Sequence, residues 1–332
     1  MTTKQQPLGS GFTAASTADE VLDGRDLSGT NVVITGGHVG LGLQTTRALS
    51  KAGARVTVGA RHPGRAAAAL ADIDRVEVDA LDLLDPASID AFAGRYRDSG
   101  RPLHVLVNNA GIMGGDLVRD ARGYESQFAT NHLGHFQLTV ALLPALRAAG
   151  ARVVTVSSGG HHLSDIRWDD PHFHHGYDGM LAYGQSKTAN VLFAVELDRR
   201  WAEYGIRGYA LHPGIAHGTN LGPSVTEDEL RAMGILDESG QPIIDPGREL
   251  KTPQQAASTT VFAATSPLLA DIGGVFLKDN DIAPLDPGSS TIAFGGEPIT
   301  ISGVAPYAVD PASAQRLWRL SEELLWGSTR NV

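Results

Sequence analysis

Tyr183 and Lys187 stand four residues apart in the run Tyr-Gly-Gln-Ser-Lys. If the run is helical, both side chains fall on one face. A phenol titrates at about 10, and a neighbouring positive charge stabilises its anion and moves it toward acid–base work at neutral pH. A hydroxyl pair, Ser157-Ser158, closes the apolar run Val153-Val-Thr-Val156 a short way upstream. A Tyr-x-x-x-Lys pair alone is common and usually carries no chemistry, so its weight depends on what accompanies it.

What accompanies it is a nucleotide-like turn. The β-branched run Asn31-Val-Val-Ile-Thr35 leads straight into Gly36-Gly-His-Val-Gly-Leu-Gly42, and a helical pattern follows to Ala52. Glycines between a strand and a helix let the backbone approach an anion, and the helix N-terminus favours negative charge there. Gly36, His38, Val39, Gly40, Leu41 and Gly42 are therefore candidate pyrophosphate contacts, although the spacing departs from G-x-G-x-x-G and an ordinary Gly-rich turn would read similarly. NAD-binding folds usually end the second strand with an acid for the ribose 2′-hydroxyl. Here that corner reads Gly59-Ala-Arg-His62, with no carboxylate before Asp72. Arg61 suits a 2′-phosphate, so NADP(H) is favoured over NAD; the plain alternative is a solvated surface arginine. Asp82-Leu83 and Asn108-Asn-Ala-Gly111 end the third and fourth strand regions, on the sheet edge where ligands bind in such folds.

The elements that must position these groups alternate regularly. Strand patterns at Arg55–Val58, Val76–Val78, His104–Val107, Arg152–Val156, Ile206–Leu211 and Ala270–Leu277 are separated by helical patterns at Arg65–Ala71, Pro86–Arg97, Gly123–Leu146 and Leu181–Arg200. Such alternation implies a single-domain, Rossmann-like, doubly wound parallel α/β sheet flanked by helices. The expected organisation is an N-terminal extension over 1–28, the dinucleotide-binding and catalytic domain over 29–280, and a C-terminal extension over 281–332 ending in a short amphipathic helix. Insertions at 159–180 and 222–250 break the rhythm. The second, with Leu230, Met233, Ile235 and Leu236, reads as a mobile lid over a fairly hydrophobic substrate.

Composition narrows the function classes. The 332 residues are 42% hydrophobic and carry 27 basic against 37 acidic side chains, a net charge of −10. That balance speaks against nucleic acid as a partner. With no cysteine, thiol nucleophiles, iron–sulfur clusters and disulfides are excluded. No stretch reaches the roughly 18 apolar residues of a membrane span, and the N-terminus lacks an apolar signal core, so a soluble, cytoplasmic protein is expected. His161, His162, His172, His174 and His175 crowd the first insertion, yet no H-E-x-x-H pattern occurs and no metal is expected.

Taken in order, Thr35-Gly36-x-x-x-Gly40-x-Gly42, Asn108-Asn109-Ala110-Gly111, Asn131 in Thr-Asn-His-Leu-Gly-His-Phe, Ser158, Tyr183-x-x-x-Lys187 and Pro213-Gly214 resemble the motifs of the short-chain dehydrogenases/reductases over about residues 28–280. Tyr-Gly-Gln-Ser-Lys-Thr-Ala-Asn190 and Asp26-Leu-Ser-Gly29 are most similar to the retinol-dehydrogenase-like and bacterial ketoreductase-like members. The resemblance implies that Tyr183 is the general acid/base and that Lys187 holds the nicotinamide ribose and lowers the Tyr183 pKa. It further implies that Ser158 holds the substrate oxygen and Asn131 positions a relay water. The cofactor contacts it implies include Asp82, Leu83, Asn109, Ala110, Gly111, Tyr183, Lys187, Pro213, Gly214, Ile215 and Thr219. Thr219 lies five residues after Gly214, where many relatives place it four after.

The expected activity is NADP(H)-dependent interconversion of a small-molecule ketone or aldehyde and its alcohol. The alternatives are reduction of a carbon–carbon double bond, or NADP sensing without turnover. The helix over 181–197 is apolar nearly all round. The resemblance assigns it and Gly123–Leu146 to a homodimer interface; cover by the C-terminal extension would read the same way.

Overall fold

The computed structural model describes residues 4–216, 226–291 and 300–327. Ten strands are assigned among them: β1 (Asn31–Thr35), β2 (Arg55–Ala60), β3 (Val76–Ala80), β4 (Val105–Asn108), β5 (Arg152–Val156), β6 (Arg207–His212), β7 (Ile215–Ala216), β8 (Leu250–Lys251), β9 (Val275–Lys278) and β10 (Asp281–Ile282). Eight form one sheet in the order β10-β9-β6-β5-β4-β1-β2-β3. All of its pairings are parallel except that of β10, which runs antiparallel to β9 at the edge. This is the Rossmann-like arrangement. The chain winds one way from β1 through β2 to β3 and then returns to β4 on the other side, which leaves a crevice at the C-terminal ends of β1 and β4.

The central strands are buried on both faces, as their unbroken Val/Ile/Leu runs require. One core layer joins Val32, Ile34, Val56 and Val58 to Leu49, Val261 and Phe262. The other joins Val33, Leu106 and Val153 to Phe92, Phe136 and Leu197. The N-terminal segment is ordered against this body. Its Ala18–Leu22 helix packs into the first layer, and the Leu8, Gly9 and Ser10 amides donate to the Asp281 carboxylate at 2.7, 2.9 and 3.1 Å.

Several expectations need correction. The Gly123–Leu146 pattern is not one helix. Gly123 sits at φ +85°, and Glu125 caps a short turn by accepting from the Gln127 and Phe128 amides. Residues Ala129–Leu133 then form a π turn, and helices Gly134–Ala141 and Leu143–Arg147 are separated where Pro144 opens the second. The last parallel strand begins at Val275 rather than Ala270, because residues 267–269 form a 3₁₀ turn and Gly274 adopts a positive φ. Of the second insertion, residues 222–225 lie outside the described residues; the rest holds a Glu227–Ala232 helix and ends in β8, which pairs with β7.

The helix Gly179–Trp201 is capped by Asp178, whose carboxylate accepts from the Met180 and Leu181 amides, and it is buried on nearly every side. The C-terminal helix Pro311–Trp326 supplies part of that cover. Trp318 lies in near-parallel stacking with Phe193 at 5.8 Å, meets Phe136 at 4.8 Å and meets Trp201 at 5.5 Å. Cover by the C-terminal extension is therefore present on that part of the long helix. The first insertion is also tied down: Arg119 donates to the His172 and Phe173 carbonyls, and Phe173 is buried at φ +50°. No described helix is long and apolar enough to cross a membrane.

Truncating the fully buried Trp318 to alanine should remove about 3–5 kcal/mol of stability. Equilibrium denaturation checks this, and an unchanged midpoint would mean that the C-terminal helix does not seal this core.

Candidate active site

The first strand hands its last residue to the site. The Thr35 hydroxyl oxygen accepts from the Asn109 and Ala110 amides at 3.0 and 2.9 Å, which binds the end of β4 to the end of β1. The same oxygen lies 2.8 Å from His135 Nε2, and His135 Nδ1 lies 3.0 Å from the Asn131 carbonyl oxygen. A carbonyl can only accept, so Nδ1 carries the ring proton and the Thr35 hydroxyl donates to Nε2. Thr35 heads the glycine motif and His135 lies in the run quoted around Asn131, but neither motif points to this contact. The Asn109 side chain is occupied as well, donating to the Thr35 carbonyl at 2.8 Å.

Beyond Thr35 the glycine turn opens a helix, Gly40–Lys51, whose N-cap residue Val39 makes no side-chain capping bond and whose first turn has no acid. Its first amides keep their demand for an acceptor. Gly36 takes φ +67°. A Cβ on Gly42 would come within 2.5 Å of the Gly36 carbonyl oxygen and 2.6 Å of Asn109 Nδ2, so only glycine lets the helix start this close to the turn. Gly37, passed over in the motif, is equally constrained by Ile34, Thr46 and Val58. His38 Nδ1 is buried without a partner among the described residues, and burial together with the nearby Arg65 and His62 charges lowers the His38 pKa. An open helix end, a glycine cradle and a cationic rim fit a dinucleotide phosphate.

Arg61 is exposed just past β2, and His62 precedes the Pro63–Ala69 helix without a side-chain capping bond, a helix that also carries Arg65. Asp72 is taken in a bidentate pair by Arg47 at 2.9 and 3.2 Å, and Asp79 by Arg95. Arg61 therefore has no described acidic partner competing for its guanidinium. Arg65, one helical turn on, was legible only by its spacing. Asp82 turns back to accept from the Leu84 amide, while Leu83 is buried, with its carbonyl against Gly134.

At the end of β5 the two serines separate. Ser157 is buried and donates to the Lys187 carbonyl at 2.8 Å. Ser158 opens a 3₁₀ turn over Gly159–Leu163, accepts from the Gly160 amide at 3.0 Å and stands beside the Tyr183 side chain. A Cβ on Gly160 would meet the Tyr183 ring at 2.7 Å, and one on Gly184 would meet Leu163 at 2.8 Å and the Gly160 carbonyl at 2.9 Å. Those close approaches, unforeseen from the motif, press the long helix onto the serine turn. His161 secures the turn from behind: Nδ1 lies 2.6 Å from the Ser158 carbonyl, and Nε2 accepts from the Ala305 amide at 3.1 Å.

Lys187 Nζ donates to the Val156 carbonyl at 3.1 Å and lies 5.5 Å from the centre of the Tyr183 ring. Helical spacing does bring the pair together, but the expected lowering of the Tyr183 pKa is not what the site shows. Burial raises the phenol to about 12, against a smaller lowering by the neighbouring Ser158 hydroxyl, and burial lowers Lys187 to about 8. Lys187 also disfavours a charge on His135, which places it within electrostatic reach of the Thr35 end of the crevice.

Asn131 lies in the π turn. Its side chain accepts from the Ile112 amide at 2.9 Å and donates to the Ile112 carbonyl and to Ser186 Oγ, both at 2.9 Å. It clamps the segment after Gly111 to the long helix. Pro213-Gly214-Ile215 follows β6, with Gly214 at φ +86° and the Ile215 amide donating to the Glu249 carbonyl at 2.7 Å. Thr219 lies outside the described residues.

The sequence profile for short chain dehydrogenases matches residues 30–230. A "Probable oxidoreductase" of Streptomyces lividans is 45% identical over 308 residues, covering 90% of this chain and 99% of its own. Retinol dehydrogenase 12 of Bos taurus is 36% identical over 306 residues, covering 90% of this chain and 87% of its own. A crystal structure of an uncharacterized protein from Mycobacterium paratuberculosis superposes with a TM-score of 0.68 at 34% identity, covering 92% of this chain and 96% of that one.

Burial holds His132 and His161 at about 3 and His135 at about 4. In the unfolded chain each takes up a proton at about 6.5, so below that pH the unfolded state binds more protons and the fold loses stability as pH falls toward 4. The thermal midpoint should drop steadily between pH 6.5 and 4.5. His132→Gln, which keeps a donor for Ser321, should make the drop shallower. A midpoint constant over that window would contradict the buried, neutral assignment.

Proposed function

The chain belongs to the short-chain dehydrogenases/reductases, a family of oxidoreductases that bind a nicotinamide cofactor, and on that basis we propose that it uses NADP(H) to interconvert a fairly hydrophobic ketone or aldehyde and its alcohol. The observation that carries this reading is the meeting of Ser158, Tyr183 and Lys187 at the C-terminal end of β5, on the same sheet edge as the glycine turn. The bound nicotinamide supplies the hydride.

The remaining work falls to this chain's side chains. Ser158 Oγ, on the turn that packs against Tyr183, orients a substrate oxygen beside the phenol. A phenol held protonated by burial is set to donate a proton to that oxygen as negative charge develops there. In the oxidation direction the same oxygen of Tyr183 takes the alcohol proton. Lys187, with a pKa near neutrality, is placed to stabilise the phenolate left after donation and to hold the nicotinamide ribose. Asn131 acts by fixing the Ile112 segment, and we assign any relay water to the neighbourhood of its backbone rather than to its occupied side chain.

Preference for NADP(H) rests on Arg61, with Arg65 and His62 beside it and no described acid paired to Arg61. The apolar side chains Leu230, Met233, Ile235 and Leu236 support a hydrophobic substrate.

Tyr183→Phe should retain NADPH binding while turnover of a carbonyl panel falls by about 10²–10⁴-fold. An unchanged rate would remove Tyr183 from the chemistry, and loss of double-bond substrates alone would point to carbon–carbon reduction. Arg61→Ala should weaken NADPH by about tenfold or more and leave NADH nearly unaffected, as fluorescence titration would show. Equal loss of both would refute the 2′-phosphate assignment.

A further inference from the structure

We infer that Glu249 is a positioning residue for Ser158, acting through His212. The inference rests on the catalytic role proposed for Ser158. Neither residue belongs to a motif, and both are almost fully buried. His212 ends β6, and its Nδ1 accepts the Gly159 amide proton at 2.9 Å, immediately after Ser158. An amide can only donate, so Nδ1 must be unprotonated and the ring proton must sit on Nε2. Glu249 Oε2 lies 3.3 Å from Nε2, neither atom having a hydrogen-bond partner among the described residues, and a carboxylate at that distance favours the proton on Nε2. The carboxylate is kept ionised: the His212 contact and Lys278, 2.9 Å from Oε1, hold its pKa below the usual value despite burial.

The backbone at Glu249 points the same way. It occupies the left-handed region at φ +67°, which a side chain other than Gly, Asn or Asp rarely adopts and which persists where surrounding contacts fix it. In that conformation its carbonyl accepts the Ile215 amide at 2.7 Å while its carboxylate reaches His212. One strained residue thereby ties the Pro213–Ile215 turn to the serine turn. In the opposite tautomer, a proton on Nδ1 would face the proton of the Gly159 amide. The turn would then shift, and Ser158 with it, away from Tyr183. His212 is also within electrostatic reach of the rings of His161 and His162, and pairs in register with Lys278 on β9. His161 is already committed through both nitrogens to the Ser158 carbonyl and the Ala305 amide.

The test is a double-mutant cycle joined to ¹⁵N NMR of the imidazoles in the full chain. In the native protein His212 should show an unprotonated Nδ1 and a protonated Nε2, and Glu249→Gln should mix the tautomers. Glu249→Gln should lower kcat for carbonyl reduction by about tenfold or more with NADPH affinity close to native, the loss of the Lys278 pair showing separately as a lower thermal midpoint. In a His212→Asn background, where no imidazole is present to orient, Glu249→Gln should lower kcat no further. Two results would overturn the inference: a native His212 carrying its proton on Nδ1, or an equal fall in kcat in both backgrounds. If the native protein reduces no carbonyl, the proposed reaction fails, and the tautomer measurement still decides the role of Glu249.

Discussion

Lys187 is an amine sealed into the protein beneath a buried phenol, with the Val156 carbonyl as its described hydrogen-bond acceptor. Desolvation acts on both groups, and in opposite senses: the ammonium loses its preference for charge while the phenol holds its proton more tightly. Burial shifts each group toward its neutral form without a counter-charge, although Lys187 at about 8 still carries its proton at neutral pH, and the fold maintains this condition by excluding water. It does so by close approach. Gly160 and Gly184 let the long helix and the serine turn touch, and the second core layer backs them. A site prepared this way responds strongly to any charge that develops inside it, because little solvent is present to screen it.

Much of the scaffold was legible in the sequence because its signals are local. Strand runs such as Asn31–Thr35 and Arg152–Val156 are apolar on both faces, the glycine turn sits between a strand and a helix, and Tyr183 and Lys187 share a helix face by spacing alone. What escaped is of two kinds, local breaks that the hydrophobic period masks and contacts between distant residues. The break in Gly123–Leu146 follows from the Glu125 cap, the π turn around Asn131 and Pro144, none of which disturbs the hydrophobic period. His135 lies in the Thr-Asn-His-Leu-Gly-His-Phe run, but nothing in that motif points to its pairing with Thr35 a hundred positions earlier. The direction of the Tyr183 shift was misjudged for a related reason. Spacing reports that a charge is near, but the cost of burial can be read only from what surrounds the pair.

The segments outside the sheet also shape the site. The C-terminal helix places Trp318 on Phe193 in the helix that carries Tyr183, and the Ala305 amide reaches His161 beneath Ser158. The insertion that ends at β8 returns Glu249 to the turn after β6, where it meets His212. Of the many histidines in the first insertion, His161 and His172 are buried and hydrogen-bonded, while His174 and His175 are exposed. Their clustering in the sequence thus conceals different physical situations.

The account turns on hydride delivery to a carbonyl carbon within this buried site. The direct measurement is a reaction of the protein with NADPH deuterated at C4 of the dihydronicotinamide, prepared as each of the two stereoisomers, and a prochiral apolar ketone, followed by mass and NMR analysis of the alcohol. One stereoisomer should deliver a single deuterium to the former carbonyl carbon, giving predominantly one enantiomer. An alcohol formed without deuterium from either stereoisomer, or no alcohol from any such ketone, would contradict it.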